Sequence, residues 1–147
     1  MYCLVLLFLT LGQVLANCPN GWTAHGESCY HVSRDVASWV EALKMCEVHG
    51  SYLVRVETAF EDNFLASMIR SLQNHVHTYW MGGSDWTTEG EWTWEPQGAP
   101  FVYTNWYRHQ PDNHAGQDNC LAMEGSSFYK WTDENCQDKY RYICERA

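Results

Sequence analysis

Cysteine usage constrains this chain more than any other feature. Of seven cysteines in 147 residues, Cys3 lies in an N-terminal segment that reads as a leader. Tyr2 to Leu11 is an almost unbroken apolar run, Val14-Leu15-Ala16 has the small-residue character of a cleavage site, and the stretch carries no acidic residue. Residues 1–16 are therefore expected to be a signal peptide, and residues 17–147 the mature, secreted, extracellular chain. The apolar run falls well short of the roughly 20 residues that cross a bilayer, and no later window is long and uncharged enough, so membrane insertion is not expected. Six cysteines remain: Cys18, Cys29, Cys46, Cys120, Cys136 and Cys144. An even count in an oxidising compartment signifies disulfides, although spacing alone leaves many pairings open. The length suits one domain with a core of its own, which the bridges supplement.

No Pro/Gly/Ser-rich linker, repeat or low-complexity tract interrupts residues 17–147, which are read as one unit. Cys18-Pro19-Asn20-Gly21-Trp22 is a turn signature, and Trp22 and Tyr30 can stand in adjacent strands of an early hairpin. Ser38-Trp39-Val40-Glu41 is a capping box, predicting a helix to Gly50 with Trp39, Ala42, Leu43 and Cys46 on its buried stripe. Tyr52 to Val56 has strand propensity. Thr58-Ala59-Phe60-Glu61 repeats the capping box ahead of a second helix with Phe64, Leu65, Met68, Ile69 and Leu72 inward. From Tyr79 onward the pattern changes to short aromatic strands: Tyr79–Gly83, Glu91–Trp94, Cys120–Met123 and Tyr140–Cys144. Two helices followed by short strands predict an α+β domain.

Between the strands, residues 95–119 form a long polar loop with little periodicity, a kind of segment that is functional or disordered in a compact domain. Its oxygen side chains favour function. Gln110 and Asp112 flank Pro111, Asp118 follows, and Asp133 lies just beyond Trp131. A calcium ion takes about 6 to 8 oxygen ligands at roughly 2.3–2.6 Å, so these four side chains are a candidate Ca2+ set with coordination places left open. The formal net charge of −9 argues against a nucleic-acid partner, which needs a basic face. Nor is the chain expected to be an enzyme. The seven histidines form no recognised ligand pattern, and the paired carboxylates Glu61-Asp62 and Glu89/Glu91 read as capping and solvation.

Four features together resemble the C-type lectin domains, especially the short single-domain perlucin-like lectins of molluscs and other invertebrates. They are the cysteine framework, Trp80-Met81-Gly82-Gly83 in place of the family's Trp-Ile-Gly-Leu, the tripeptide Gln110-Pro111-Asp112, and Trp131-Thr132-Asp133 three residues before Cys136. The resemblance spans residues 18–146. It implies a C-type lectin-like fold with two helices packed on small antiparallel sheets, a long calcium- and sugar-binding loop, and the bridges Cys18–Cys29, Cys46–Cys144 and Cys120–Cys136. It further implies that Gln110, Asp112, Asp118 and Asp133 hold Ca2+ and contact the sugar, with a cis bond before Pro111.

In this family Gln-Pro-Asp accompanies galactose or N-acetylgalactosamine, and Glu-Pro-Asn accompanies mannose-like sugars, since exchanging amide and carboxylate reverses the donors and acceptors offered to two hydroxyls. His114 occupies the position from which an aromatic side chain packs on the apolar face of galactose. Two departures shorten donors: Thr132 replaces the family's Asn and Asp118 its Glu, so calcium binding is expected to be weakened rather than lost. The implied partners are galactose-type glycans on cell or microbial surfaces, in innate defence. The rival is a protein of the same fold that binds no sugar and acts in protein interaction or a mineral matrix. With no cysteine left unbridged, any homodimer would be non-covalent.

Overall fold

The computed structural model describes residues 16–72 and 77–147. The leader reading, Ala16 apart, lies outside the described residues. Helix α1 (Trp39–Val48) opens with both halves of the expected capping box. The Ser38 hydroxyl accepts from the Glu41 amide at 3.4 Å, and the Glu41 carboxylate accepts from the Ser38 amide at 2.8 Å. It ends at Gly50, whose φ of +64° lets the Gly50 and Ser51 amides turn back to the carbonyls of Glu47 and Cys46. Trp39, Ala42 and Cys46 are buried, with Leu43 half-buried beside them. Two indoles lock this face to strand β4 (Thr78–Ser84): Trp39 Nε1 donates to Met81 O at 2.8 Å, and Trp80 Nε1 to Ala37 O at 2.9 Å.

Helix α2 (Ala59–Arg70) keeps only half of its expected box. The Thr58 hydroxyl accepts from the Glu61 amide, but the Glu61 carboxylate is drawn away from the cap. It accepts instead from the Tyr30 hydroxyl at 2.8 Å and the Glu57 amide at 3.2 Å. Leu65 and Ile69 are fully buried, whereas Phe64 is half-buried and stacks on His25 at 4.0 Å between ring centroids. Asp62 corrects the sequence reading outright. It is only 3% exposed, and its carboxylate accepts from Trp131 Nε1 at 2.9 Å, Asn105 Nδ2 at 2.6 Å and the Tyr103 hydroxyl at 3.1 Å.

The expected hairpin is β1 (Thr23–His25) with β2 (Ser28–Val32), and β2 pairs with the last strand β9 (Arg141–Arg146), so the two ends of the described chain share a sheet. Strand β3 (Tyr52–Leu53) also pairs with β9. It is shorter than the predicted Tyr52–Val56. The Val54 amide still reaches Ile143 O, but its carbonyl is taken by the Gly82 amide and the Arg55 amide goes to the Glu145 side chain, which ends the ladder. Strands β9 and β4 run parallel, so the sheet is mixed. The opposite edge of β4 carries β7 (Asp118–Glu124), which pairs β8 (Lys130–Asn135), while β5 (Thr93–Trp94), which pairs β6 (Ala99–Pro100), continues the β9 edge at Gly83 and Ser84. Strand β8 was not anticipated. It holds the Trp-Thr-Asp triplet and is mostly polar on one side, which masks alternation in so short a run.

The bridges are those the resemblance implied, with Cα separations of 5.5, 5.5 and 5.3 Å for Cys18–Cys29, Cys46–Cys144 and Cys120–Cys136. Cys46–Cys144 closes a 98-residue separation. A loop of that size constrains the unfolded chain by about 4–5 kcal/mol on the chain-entropy view. Gly82 and Gly83 are required by contact. A Cβ on Gly82 would sit 2.6 Å from Leu53 O, and one on Gly83 2.5 Å from Phe101 Cζ. The second contact matters for the loop, because Phe101 stacks on buried Trp94 at 4.2 Å and begins the path toward residue 110.

Replacing Asp62 with Ala strands three donors in or near the core, each worth about 1–3 kcal/mol when left unsatisfied. D62A is expected to lower the unfolding free energy by roughly 3 kcal/mol or more, read from urea denaturation. A loss under about 1 kcal/mol would show that the hub carries little of the stability.

Candidate functional site at the long loop

The loop is anchored before it reaches its polar tip. Trp131, on β8, is fully buried and meets Trp94, Phe101, Tyr103 and Trp106 edge-on, at centroid distances of 5.6–6.0 Å. Its backbone accepts from the Tyr107 amide at 2.8 Å and donates to Asn105 O at 2.9 Å, so loop and strand share a short stretch of ladder. Asp133 stands two residues further along β8, on the same strand face by the period of two.

Asp133 is 3% exposed, and it gathers the tip. One carboxylate oxygen accepts from the Asp112 amide at 2.9 Å and the other from the Asn113 amide at 2.7 Å. The Gln110–Pro111 bond is cis, as the resemblance implied; Glu95–Pro96, which the sequence reading did not single out, is cis as well. Asp112 accepts in turn from the His114 amide at 3.2 Å. His114 begins a one-turn 3-10 helix (His114–Gly116) and its side chain is exposed. Asn113 and Ala115 hold φ values of 45° and 55°, and His109 one of 66°. Left-handed backbone costs an L-residue about 1–2 kcal/mol, and strain of this kind concentrates at binding sites.

Asp118 enters through a different device. The β7–β8 register slips between Asp118 and Cys120, and a bulge at this point re-aims the side chain at the sheet edge. Burial, followed by the nearby charges of Asp133 and Asp112, pushes its carboxyl above the usual carboxylate range. The Asp133 carboxyl is also raised by burial, against the pull of the Asp112 and Asn113 amides. Gln110 Oε1, Asn113 Oδ1 and Thr132 Oγ1 are buried without a hydrogen-bond partner. Buried acceptors of this sort are rare and normally answered by a donor or a cation. Among the described residues, no three His, Cys, Asp or Glu side chains are grouped closely enough to hold a metal by themselves. A cation here would need amide oxygens too, and Gln110 Oε1 and Asn113 Oδ1 are the unpartnered ones. The donor set fits a hard ion.

A second oxygen group, of which the sequence reading assigned Glu89 to solvation and did not single out Asp85, adjoins the first. Asp85 is buried at the end of β4 and accepts from the Gly90 amide at 2.9 Å. The Asn119 side-chain amide lies 3.1 Å from Asp85 Oδ1 and 3.3 Å from Glu89 Oε2. Burial, then the charges of Asp85 and Asp133, raises the Glu89 carboxyl. The signal was the four-residue spacing of Asp85 and Glu89 directly after the Trp-Met-Gly-Gly strand.

Residues 35–146 match the family of the Lectin C-type domain. The chain belongs to the C-type lectin domain family. It is 36% identical over 129 residues to a perlucin-like protein of the mussel Mytilus galloprovincialis, covering 87% of this chain and 82% of that one. It is 30% identical over 134 residues to the galactose-specific lectin nattectin of Thalassophryne nattereri, covering 91% and 83%. Among solved structures, the C-type lectin CEL-I of Cucumaria echinata superposes with a TM-score of 0.82 at 26% identity, covering 88% of this chain and 97% of that one. The family and its lectin relatives point to a non-enzymatic, carbohydrate-binding protein.

The raised Asp118 carboxyl has a testable sign. A folded-state pKa above the unfolded value means the charged form disfavours the fold, so this cost is absent below the ordinary carboxylate range and fully present above the raised value. In chelator-treated protein, D118N is therefore expected to gain stability relative to the parent as pH rises from about 4 to 7. Paired thermal-unfolding curves read this; a difference that does not change with pH would rule out the raised carboxyl.

Proposed function

We propose that this chain is a secreted, calcium-dependent lectin for galactose-type glycans, with Gln110, Asp112, Asp118 and Asp133 holding Ca2+ and contacting the sugar. The observation that carries this reading is the clamp of Asp133 on the Asp112 and Asn113 amides, with Gln110 Oε1 left buried and unpartnered beside it. Bound Ca2+ would supply coordination places that two neighbouring sugar hydroxyls can complete. Such bonds offset the loss of hydration that a saccharide, with little apolar surface, suffers on binding.

The chain's own residues set the selectivity. Gln110 offers an amide that both donates and accepts, and Asp112 a carboxylate that only accepts, so the order of the two decides how a hydroxyl pair must orient its protons. His114, exposed and next to Asp112, is placed to lie against the apolar face of the sugar ring. The galactose specificity in nattectin's name supports the same preference. Thr132 and the short Asp118 lower calcium affinity without removing the carboxylate charge that attracts the ion. Disulfides support secretion, since they persist in oxidising compartments, and among the described residues no helix is long and apolar enough to cross a membrane. Recognition of cell or microbial surfaces in defence requires avidity, which a non-covalent homodimer would supply.

Calorimetric titration with galactose, N-acetylgalactosamine and mannose, with and without calcium, tests the reading. Galactose-type sugars should bind only with calcium, and D133A should lose both ion and sugar while retaining its three bridges. Preference for mannose, or silence toward all three sugars, would overturn the proposal, and silence combined with retention on calcium carbonate or a protein partner would favour the non-sugar rival. Exchanging amide and carboxylate in the double variant Q110E/D112N should shift preference toward mannose; an unchanged order of sugars would show that selectivity lies elsewhere.

A further inference from the structure

Beside the loop lies a cleft of about 330 Å3 whose lining includes none of the four proposed calcium ligands. Trp86, Gln117, Asn119, Asn135 and Gln137 line it. Its size falls within the roughly 300–1,000 Å3 of small-ligand sites. Trp86 leaves 59% of its surface exposed, an unusual state for an indole in a fold whose Trp80, Trp94 and Trp131 are fully buried. The other four are side-chain amides, and no charged side chain lines the cleft. Asn135 ties two of its walls together, donating to Gln117 Oε1 at 3.3 Å and accepting from the Gln137 backbone amide at 3.0 Å.

This chemistry is specific. Amides donate and accept at once, as hydroxyl groups do. An indole face takes up C–H surface while its ring nitrogen remains available to a polar partner. A neutral wall offers nothing to an anion, which the net charge of −9 already repels. The cleft's lining residues also neighbour those of the candidate sugar site along the chain and across the β7–β8 ladder. Gln117 immediately precedes Asp118, Asn135 pairs with Asp118 across the β7–β8 ladder, and Trp86 follows Asp85, whose carboxylate meets Asn119.

We propose that this cleft is a second saccharide subsite, which takes a neutral sugar residue of an oligosaccharide whose terminal galactose-type unit occupies the Gln110–Asp133 site. The inference rests on the lectin reading above for that terminal unit, and on Trp86 for its own contact. The indole stacks against the second ring, and Gln117 and Gln137 hydrogen-bond its hydroxyls. The subsite thereby selects extended glycans over free monosaccharides.

The test compares galactose with galactose-terminated tri- and tetrasaccharides on the full chain with calcium, by calorimetry and by the NMR signal of the Trp86 indole N–H. Oligosaccharides should bind more tightly than galactose and shift the Trp86 signal, which galactose alone leaves in place. W86A should lose roughly three- to tenfold in oligosaccharide affinity, the range expected for one aromatic contact, with galactose affinity unchanged within about twofold. W86F should recover part of the loss, and Q117A should repeat it more weakly with Trp86 intact. Equal oligosaccharide affinity in W86A and the parent, or a Trp86 signal that no glycan moves, overturns the subsite. Loss of galactose binding in the parent with a Trp86 shift still produced by oligosaccharides would instead count against the lectin reading at Gln110–Asp133 and support the cleft.

Discussion

A single buried carboxylate, Asp62, holds the long loop to the rest of the molecule. Accepting from Trp131 Nε1, Asn105 Nδ2 and the Tyr103 hydroxyl, it ties α2, β8 and the first part of the loop to one point. Three hydrogen bonds to a charged acceptor offset the desolvation of that charge, which burial would otherwise make prohibitive. The loop ladder at Asn105 and Tyr107 and the aromatic cage around Trp131 reinforce that anchorage. Asp133, two residues along β8, then meets the tip at a fixed height.

The same economy explains why the tip is electrostatically tense. Core and sheet place Asp112, Asp118 and Asp133 near one another, and burial raises the last two carboxyls above their ordinary range. A globular fold selected for stability alone would not gather acids there or leave Gln110 Oε1 and Asn113 Oδ1 without partners. The strain at His109, Asn113 and Ala115 belongs to the same trade, in which stability supplied by the disulfides and the Trp-rich core offsets a locally unfavourable loop.

Much of this was legible in the residues, because local rules governed it. The Ser38 box and Gly50 delimited α1 through caps that are satisfied within a few residues of chain. The second box misled by half, since the Glu61 carboxylate had a distant competitor in the Tyr30 hydroxyl. Gln110, Asp112, Asp118 and Asp133 were singled out as oxygen donors, and the fold sets the Asp112 amide on Asp133 and the charges of both near Asp118. Asp62 was assigned to a helix cap because a carboxylate in a first helical turn ordinarily plays that part. Nothing nearby in the chain announces that three donors arrive from residues 103–131 to bury it.

Taken alone, the amino-acid order determined the helices, the half-cystines, the glycines beside Trp80 and the chemical type of each candidate ligand. Those properties depend on neighbours within one or two turns of chain, or on the side chain itself. Only the tertiary structure decided which backbone amides Asp133 would grip, that β9 would lie parallel to β4, and that Asp85, Glu89 and Asn119 would stand together beside the loop. It likewise decided that Trp86 would be left bare over a wall of amides. Each of these is a contact between segments far apart in sequence, set by how the whole core packs, and no local pattern encodes a distance between residues that meet only once the chain has folded.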